Sequence, residues 1–96
     1  MISTEQKEII LSSLKPYSPK FVGVFGSYAR NQEHNDSDLD LLLSLAKPNL
    51  SLFDIGALYD DLEKKLQIKI DLSFKHKLKK SLEPFILKDL ITIYEA

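Results

Sequence analysis

Three aspartates in two separate segments carry the carboxylates best suited to hold a metal ion. Asp38 and Asp40 begin a leucine-rich run, and Asp71 lies inside a later run of alternating apolar and polar residues. Residues i and i+2 of a strand project from the same face, ~6.7 Å apart, so Asp38 and Asp40 should share a face. Carboxylate oxygens suit Mg²⁺, and acids facing water are the alternative. If the Asp71 strand lies beside the Asp40 strand, three carboxylates could hold two metal ions ~4 Å apart.

A Gly-Ser pair is the candidate phosphate site. Gly26 and Ser27 directly follow a compact apolar run, Phe21 to Phe25, which predicts a buried strand. A short helix over Ser27 to Arg30 would turn backbone N–H groups and the positive end of its dipole toward a phosphate. Taken alone, the pair is explained more simply by a turn that ends the strand, with Ser27 as a helix N-cap.

Alternating helices and strands must position these residues, so the predicted fold class is α/β or α+β around a small sheet. Capping-box patterns begin two helices, one behind Ser3 that ends before Pro16 and one behind Ser51 that runs to about Leu66. Unbroken leucines predict a second strand that is covered on both faces. The remaining predicted elements are strands at Leu39–Leu45, Ile68–Phe74 and Ile91–Tyr94, a helix at Leu82–Leu90 and a polar, exposed loop at 31–36.

Length and composition narrow the class of protein. The 96 residues predict one domain, 1–96, and no cysteine is present for disulfides or thiolate metal sites. A net charge of −1 makes nucleic acid an unlikely partner. The N-terminus has no signal-peptide pattern, and no apolar run approaches the ~20 residues that span a membrane. A cytoplasmic protein without membrane contact is therefore expected.

The two motifs together resemble a known family signature. Gly26-Ser27-Tyr28-Ala29-Arg30, six further residues and Ser37-Asp38-Leu39-Asp40-Leu41 are similar to the signature of the polymerase-beta-like nucleotidyltransferases, and the length resembles that of the minimal members, the MNT domains. The resemblance implies a mixed sheet flanked by helices. It also implies that Gly26 and Ser27 contact the triphosphate, that Arg30 supports the phosphates or the loop, and that the three acids, Asp38, Asp40 and Asp71, bind Mg²⁺ and carry catalysis. Family members often have Gly at the position of Asn31, and Asn tolerates the same left-handed backbone.

The resemblance also implies a partner. MNT domains of this size are typically paired with HEPN-domain toxins, and the better-described ones transfer AMP from ATP to a toxin tyrosine. The expected function is therefore an antitoxin enzyme that forms a hetero-oligomer with its toxin, and a homodimer stays open. Two alternatives remain: an antitoxin that only binds its toxin, and a nucleotidyltransferase acting on a small molecule or RNA.

For several other residues we prefer a structural interpretation to a functional one. His34 is expected to be a solvated loop residue rather than a general base. Tyr28 either packs beside the short helix or stacks on a base or a partner. The acids of the second helix are expected to form its solvent-exposed face: Asp54, Asp60, Asp61 and Glu63. The lysines after the third strand are expected to form a solvated connector: Lys75, Lys77, Lys79 and Lys80. A C-terminal apolar stripe is assigned first to the core and second to a partner contact: Leu82, Phe85, Ile86, Leu90 and Tyr94.

Overall fold

Three helices and four strands make up the fold, in a computed structural model that describes residues 2–34, 36–47 and 49–96. Every predicted helix and strand is confirmed except the short helix after Gly26, with ends shifted by up to two residues. Asn35, within the predicted loop, lies outside the described residues. In chain order the elements are α1 (Thr4–Leu14), β1 (Pro19–Phe25), β2 (Leu39–Leu45), α2 (Leu52–Leu66), β3 (Ile70–Phe74), α3 (Glu83–Asp89) and β4 (Ile91–Glu95), with 3₁₀ turns at Lys15–Tyr17 and Lys75–Lys77.

The four strands form one mixed sheet in the order β3-β2-β1-β4. The β1 strand is antiparallel to both β2 and β4, whereas β2 and β3 run parallel. The α2 helix makes the parallel connection between β2 and β3, as a crossover of this kind requires. This sheet is the mixed sheet that the family resemblance implied.

The α1 and α2 helices cover the β1, β2 and β3 part of one face of the sheet. Capping boxes at Ser3 and Ser51 begin these helices, as predicted. The apolar sides of the two helices meet alternate residues of all three neighbouring strands. The core on this face includes Ile10, Leu14, Val22, Val24, Tyr28, Leu39, Leu41, Leu43, Leu58, Leu62, Ile70 and Leu72. Tyr28 therefore packs into the core, which is the first of the two interpretations given for it.

The α3 helix covers only part of the opposite face. Ile86 packs there on Phe21 and Leu42, with Leu90 half-buried at the edge of the contact. The two-sided cover predicted for β2 is confirmed, because Leu42 and its neighbour Leu41 are both fully buried on opposite faces. The Lys75 amine lies 3.7 Å from the centre of the Phe21 ring, so it is more than a solvated connector residue.

The core assignment of the C-terminal apolar stripe is wrong for most of its residues. Of the C-terminal apolar stripe only Ile86 is buried, while Phe85 is 73% exposed and Leu82 and Tyr94 are also exposed. Seven residues give α3 less than two full turns, too little to turn the whole stripe toward the sheet. Phe53, in the first turn of α2, is another large apolar residue that is exposed, at 90%. Within the described ranges, no helix combines the length and apolar character needed to cross a membrane.

Candidate nucleotide and metal site

Strand pairing brings two of the predicted acids side by side. Asp40 of β2 is the register partner of Asp71 in β3. Asp40 and Asp71 alternate with Leu41 and Leu72, which are buried against α1 and α2, so both carboxylates belong to the opposite, partly covered face. Asp38 precedes β2 by one residue and is exposed. From the sequence, Asp40 and Asp71 were expected to meet only if their two strands were neighbours, and the strand register shows that they are.

Two side chains of α2 hold β3 in this position. The Glu63 carboxylate accepts a hydrogen bond from the Ile70 N–H at 2.9 Å, and the Tyr59 hydroxyl accepts one from the Leu72 N–H at 2.9 Å. These two N–H groups flank Asp71 on the outer edge of the sheet. Glu63 was assigned to a wet helix face, and that assignment is wrong, since its carboxylate satisfies an edge-strand donor.

The carboxylates repel one another strongly enough to alter proton binding. The pKa of Asp40 is raised to about 6, first because the half-buried side chain is desolvated and then because the charges of Asp71 and Asp38 oppose its own. A hydrogen bond with Asp71 raises the pKa further, whereas the Arg30 guanidinium lowers it. Asp38 and Asp71 therefore both act on the Asp40 carboxyl group.

Gly26 brings the other motif against the same carboxylates. Phe25, at the end of β1, is the register partner of Asp40, so the chain turns at Gly26 directly beside the Asp40 side chain. Gly26 has a φ of 74°, and a Cβ atom there would collide with the Asp40 carboxylate and lie 3.2 Å from its Cγ. Only glycine fits both the backbone conformation and the space. The two halves of the motif are thus in contact.

The segment after Gly26 is a set of turns, and the predicted short helix is wrong. Isolated hydrogen bonds close the turns: the Arg30 N–H donates to the Gly26 C=O at 3.1 Å, and the Gln32 N–H donates to the Ser27 C=O at 2.8 Å. Asn31 has a φ of 57°, a left-handed conformation that ends any helical continuation and that was predicted to be tolerated there. Ser27 therefore has no helix dipole behind it, and the predicted phosphate site keeps only the backbone N–H groups of the turn and the Ser27 hydroxyl as candidate donors.

Arg30 lies between the acids and the end of α3. Its Nη1 donates to Asp89 Oδ2 at 2.6 Å, and its Nε donates to Gln32 Oε1 at 3.1 Å. Asp89 and Gln32 were not among the predicted site residues. No local sequence pattern points to Asp89, which is 59 residues from Arg30 along the chain.

The candidate site is accessible to solvent, since Asp38, Asp71 and Arg30 are exposed. A cleft of about 460 Å³ lies on the loop side, where Tyr28, His34, Ser37 and Lys69 contribute to its wall, and it contains none of the six predicted site residues. Across residues 2–34, 36–47 and 49–96, no three acidic or histidine side chains stand in a ready arrangement around a cation. His34 is exposed, as predicted. Asp40 and Asp71 are register partners in neighbouring strands, whereas Asp38 is exposed just before β2.

Comparison with known proteins identifies the family. Residues 5–93 match the sequence model of the nucleotidyltransferase domain. The chain belongs to this family of enzymes. Among relatives of the nucleotidyltransferase, a candidate protein adenylyltransferase of Methanocaldococcus jannaschii is 37% identical, with 94% of this chain and 96% of the relative covered. The protein adenylyltransferase MntA of Thermococcus cleftensis is 31% identical, over 97% of this chain and 98% of that protein.

Solved structures share the fold. A candidate minimal nucleotidyltransferase has a TM-score of 0.75 at 32% identity, covering 91% of this chain and 88% of that one. A toxin–antitoxin complex with AMP-PNP gives 0.82 at 20% identity, over 94% of this nucleotidyltransferase and 73% of that chain. A tri-AMPylated Shewanella oneidensis HEPN toxin in complex with its MNT antitoxin gives 0.77 at 16% identity, over 99% and 74%. At the two lower identities the likeness concerns the fold, which is confirmed as predicted.

Proposed function

We propose that this nucleotidyltransferase uses Mg²⁺ and ATP to transfer AMP to a tyrosine hydroxyl of a HEPN-domain toxin and thereby acts as its antitoxin. The observation that carries the proposal is the contact between Gly26 and Asp40, with Asp71 paired beside Asp40. This contact puts a glycine turn suited to phosphate next to carboxylates suited to a divalent cation. The relatives named protein adenylyltransferase, and the fold shared with toxin–antitoxin complexes, support the acceptor class.

The acids fit a divalent cation on electrostatic grounds. Asp40 keeps a proton up to a pH of about 6 because burial and two like charges oppose its ionisation. A cation held by Asp40, Asp71 and a rotated Asp38 would remove that repulsion. Bound Mg²⁺ would neutralise the carboxylates, bind triphosphate oxygens and lower the pKa of the attacking hydroxyl.

The chain's own residues would orient the substrate and manage the proton. Backbone N–H groups of the turn at Gly26 and Ser27, with the Ser27 hydroxyl, would donate to the triphosphate, and Arg30 would stabilise its negative charge. The acceptor oxygen would bond to the α-phosphorus of ATP while the bond from that phosphorus to the bridging oxygen breaks. Pyrophosphate would leave with the bridging oxygen, and one carboxylate of the Asp40–Asp71 pair would take the acceptor's proton.

The test is transfer of label from α-labelled ATP to the HEPN protein in the presence of Mg²⁺. Asp38→Asn and Asp40→Asn should each lower the rate by roughly 1000-fold, equivalent to about 4 kcal/mol. Asp60→Asn is the matched control, an exposed acid of α2 whose loss should leave the rate unchanged. Label on a small molecule or RNA instead of the protein would contradict the proposed acceptor.

A second candidate function is an antitoxin that only binds its toxin. The observation in its favour is that Asp38, Asp40 and Asp71 do not, as they stand in the described chain, enclose a cation. In that case the toxin would be inhibited equally by the wild type and by Asp40→Asn, with no label transferred. Inhibition that requires ATP and Asp40 would exclude it.

A further inference from the structure

The ion pair between Arg30 and Asp89 connects the candidate site to the far end of the chain. Arg30 follows the Gly26 turn, and Asp89 is the last residue of α3. The Nη1–Oδ2 distance of 2.6 Å is short even for a charge-assisted hydrogen bond. The Asp89 side chain is 18% exposed and that of Arg30 is 45% exposed, so the carboxylate is largely shielded from solvent while the guanidinium stays accessible.

The position of Asp89 in α3 needs an explanation from outside the helix. The last turn of a helix carries partial negative charge on its free carbonyl groups, which makes a carboxylate there unfavourable. The Arg30 guanidinium offsets this cost. Ile86 and Leu90, on either side of Asp89, pack against Phe21 and Leu42 of the sheet, which holds the Asp89 backbone in place.

The two partners of Arg30 leave part of its guanidinium for a ligand. Asp89 takes an Nη1 hydrogen and Gln32 takes the Nε hydrogen, so two of the five N–H groups are used. Within the described chain Nη2 has no such partner. The Arg30 backbone N–H also donates to the Gly26 C=O at 3.1 Å, and Gly26 lies so close to Asp40 that a Cβ atom there would strike the Asp40 carboxylate. Arg30 is therefore anchored, by its backbone and by its guanidinium, at the turn that adjoins Asp40.

We infer that Asp89 is a positioning residue: its carboxylate, fixed by α3 on the sheet, holds Arg30 beside Asp40 so that Nη2 meets the triphosphate of the nucleotide. The inference rests on the proposed function, because it assumes that a nucleoside triphosphate binds at this site. Asp89 itself does not touch the substrate. Without the Asp89 carboxylate the Arg30 side chain would be free to move, and the entropy cost of ordering it would weaken nucleotide binding.

Binding of Mg²⁺–ATP to the purified protein, measured by calorimetry without any acceptor, tests the inference. Asp89→Asn should raise the Kd about 10-fold, and Asp89→Glu should recover it to within about 3-fold of wild type, because a carboxylate is restored. In an Arg30→Gln background, Asp89→Asn should change the Kd by less than about 2-fold, since its effect passes through Arg30.

Asp61→Asn is the matched control, because Asp61 forms an ion pair with Lys65 at 3.1 Å within α2, a helix that packs on the other face of the sheet. The Kd of the Asp61→Asn variant for Mg²⁺–ATP should stay within about 2-fold of wild type, and its thermal unfolding midpoint should be similar to that of Asp89→Asn. An unchanged Kd in Asp89→Asn would overturn the inference and leave the proposed function standing. Tighter binding would also overturn it, by showing that Asp89 holds Arg30 away from the ligand. Failure of the wild type to bind Mg²⁺–ATP would refute both.

Discussion

The two faces of the sheet differ in cover and in chemistry. On one face, α1 and α2 bury an uninterrupted set of apolar side chains. On the other, α3 covers the region of Phe21 and Leu42, and the carboxylates of Asp40 and Asp71 lie beyond it. The difference shows how a small fold can keep repelling charges: the packed face supplies the stability, and the partly covered face carries groups that lower it.

Neighbouring residues of β2 make the sharpest comparison between the faces. Leu41→Ala, on the packed face, should lower the free energy of unfolding by about 3 kcal/mol, because it removes a fully buried side chain and leaves a cavity. Asp40→Asn, on the other face, should leave stability at pH 7 unchanged or increased, because it removes a repelled charge. Urea unfolding of both variants measures this. A large loss of stability in Asp40→Asn would mean that the open face also supports the fold.

Gly26→Ala should have the next largest effect. The left-handed backbone and the collision of a Cβ atom with the Asp40 carboxylate should cost about 2 kcal/mol and disturb both halves of the site. Gly56→Ala is the matched control, because nothing lies within 4 Å of a Cβ at that helical position. It should stabilise the protein by ~0.5–1 kcal/mol through helix propensity. Thermal unfolding of the two variants tests the contrast, and equal shifts of the same sign would contradict the close approach of Gly26 to Asp40.

The smallest expected effect is a pH dependence confined to the open face. The pKa of Asp40 is raised to about 6 from its usual 3.8, so the folded state binds this proton more tightly than the unfolded chain does. The contribution of Asp40 to stability is therefore fully present below about pH 4, is lost as the pH rises toward 6, and is absent above that. After allowance for its partial exposure, the loss should be about 1–2 kcal/mol.

The measurement is the difference in unfolding free energy between wild type and Asp40→Asn at pH 4.5 and pH 7, without divalent cations. The wild type should lose stability relative to the variant as the pH rises. Taking the difference between the two proteins at both pH values removes the contribution of the other carboxylates, because they titrate alike in both proteins unless they interact with Asp40. A difference that stays constant with pH would show that Asp40 is as well solvated as an ordinary surface acid.

Much of the site could be predicted because its signals are local. The period-two spacing of Asp38 and Asp40 fixes a shared face, and the Gly-Ser pair after an apolar run fixes a turn at the strand end. The helix predicted after that turn was wrong, since four residues carry too little periodicity to separate a helix from successive turns. The exposure of Phe85 was also missed, because an apolar pattern does not say whether a helix is long enough to bury it.

The sequence by itself determined the elements, the acids and the family signature, since propensity, alternation and capping act over a few residues. Only the tertiary structure decided that Asp71 pairs with Asp40, that a Gly26 side chain would strike that carboxylate, and that Asp89 reaches Arg30. These contacts depend on strand register and on how α3 docks. Both are set by the burial of side chains distant in sequence, which no local pattern encodes.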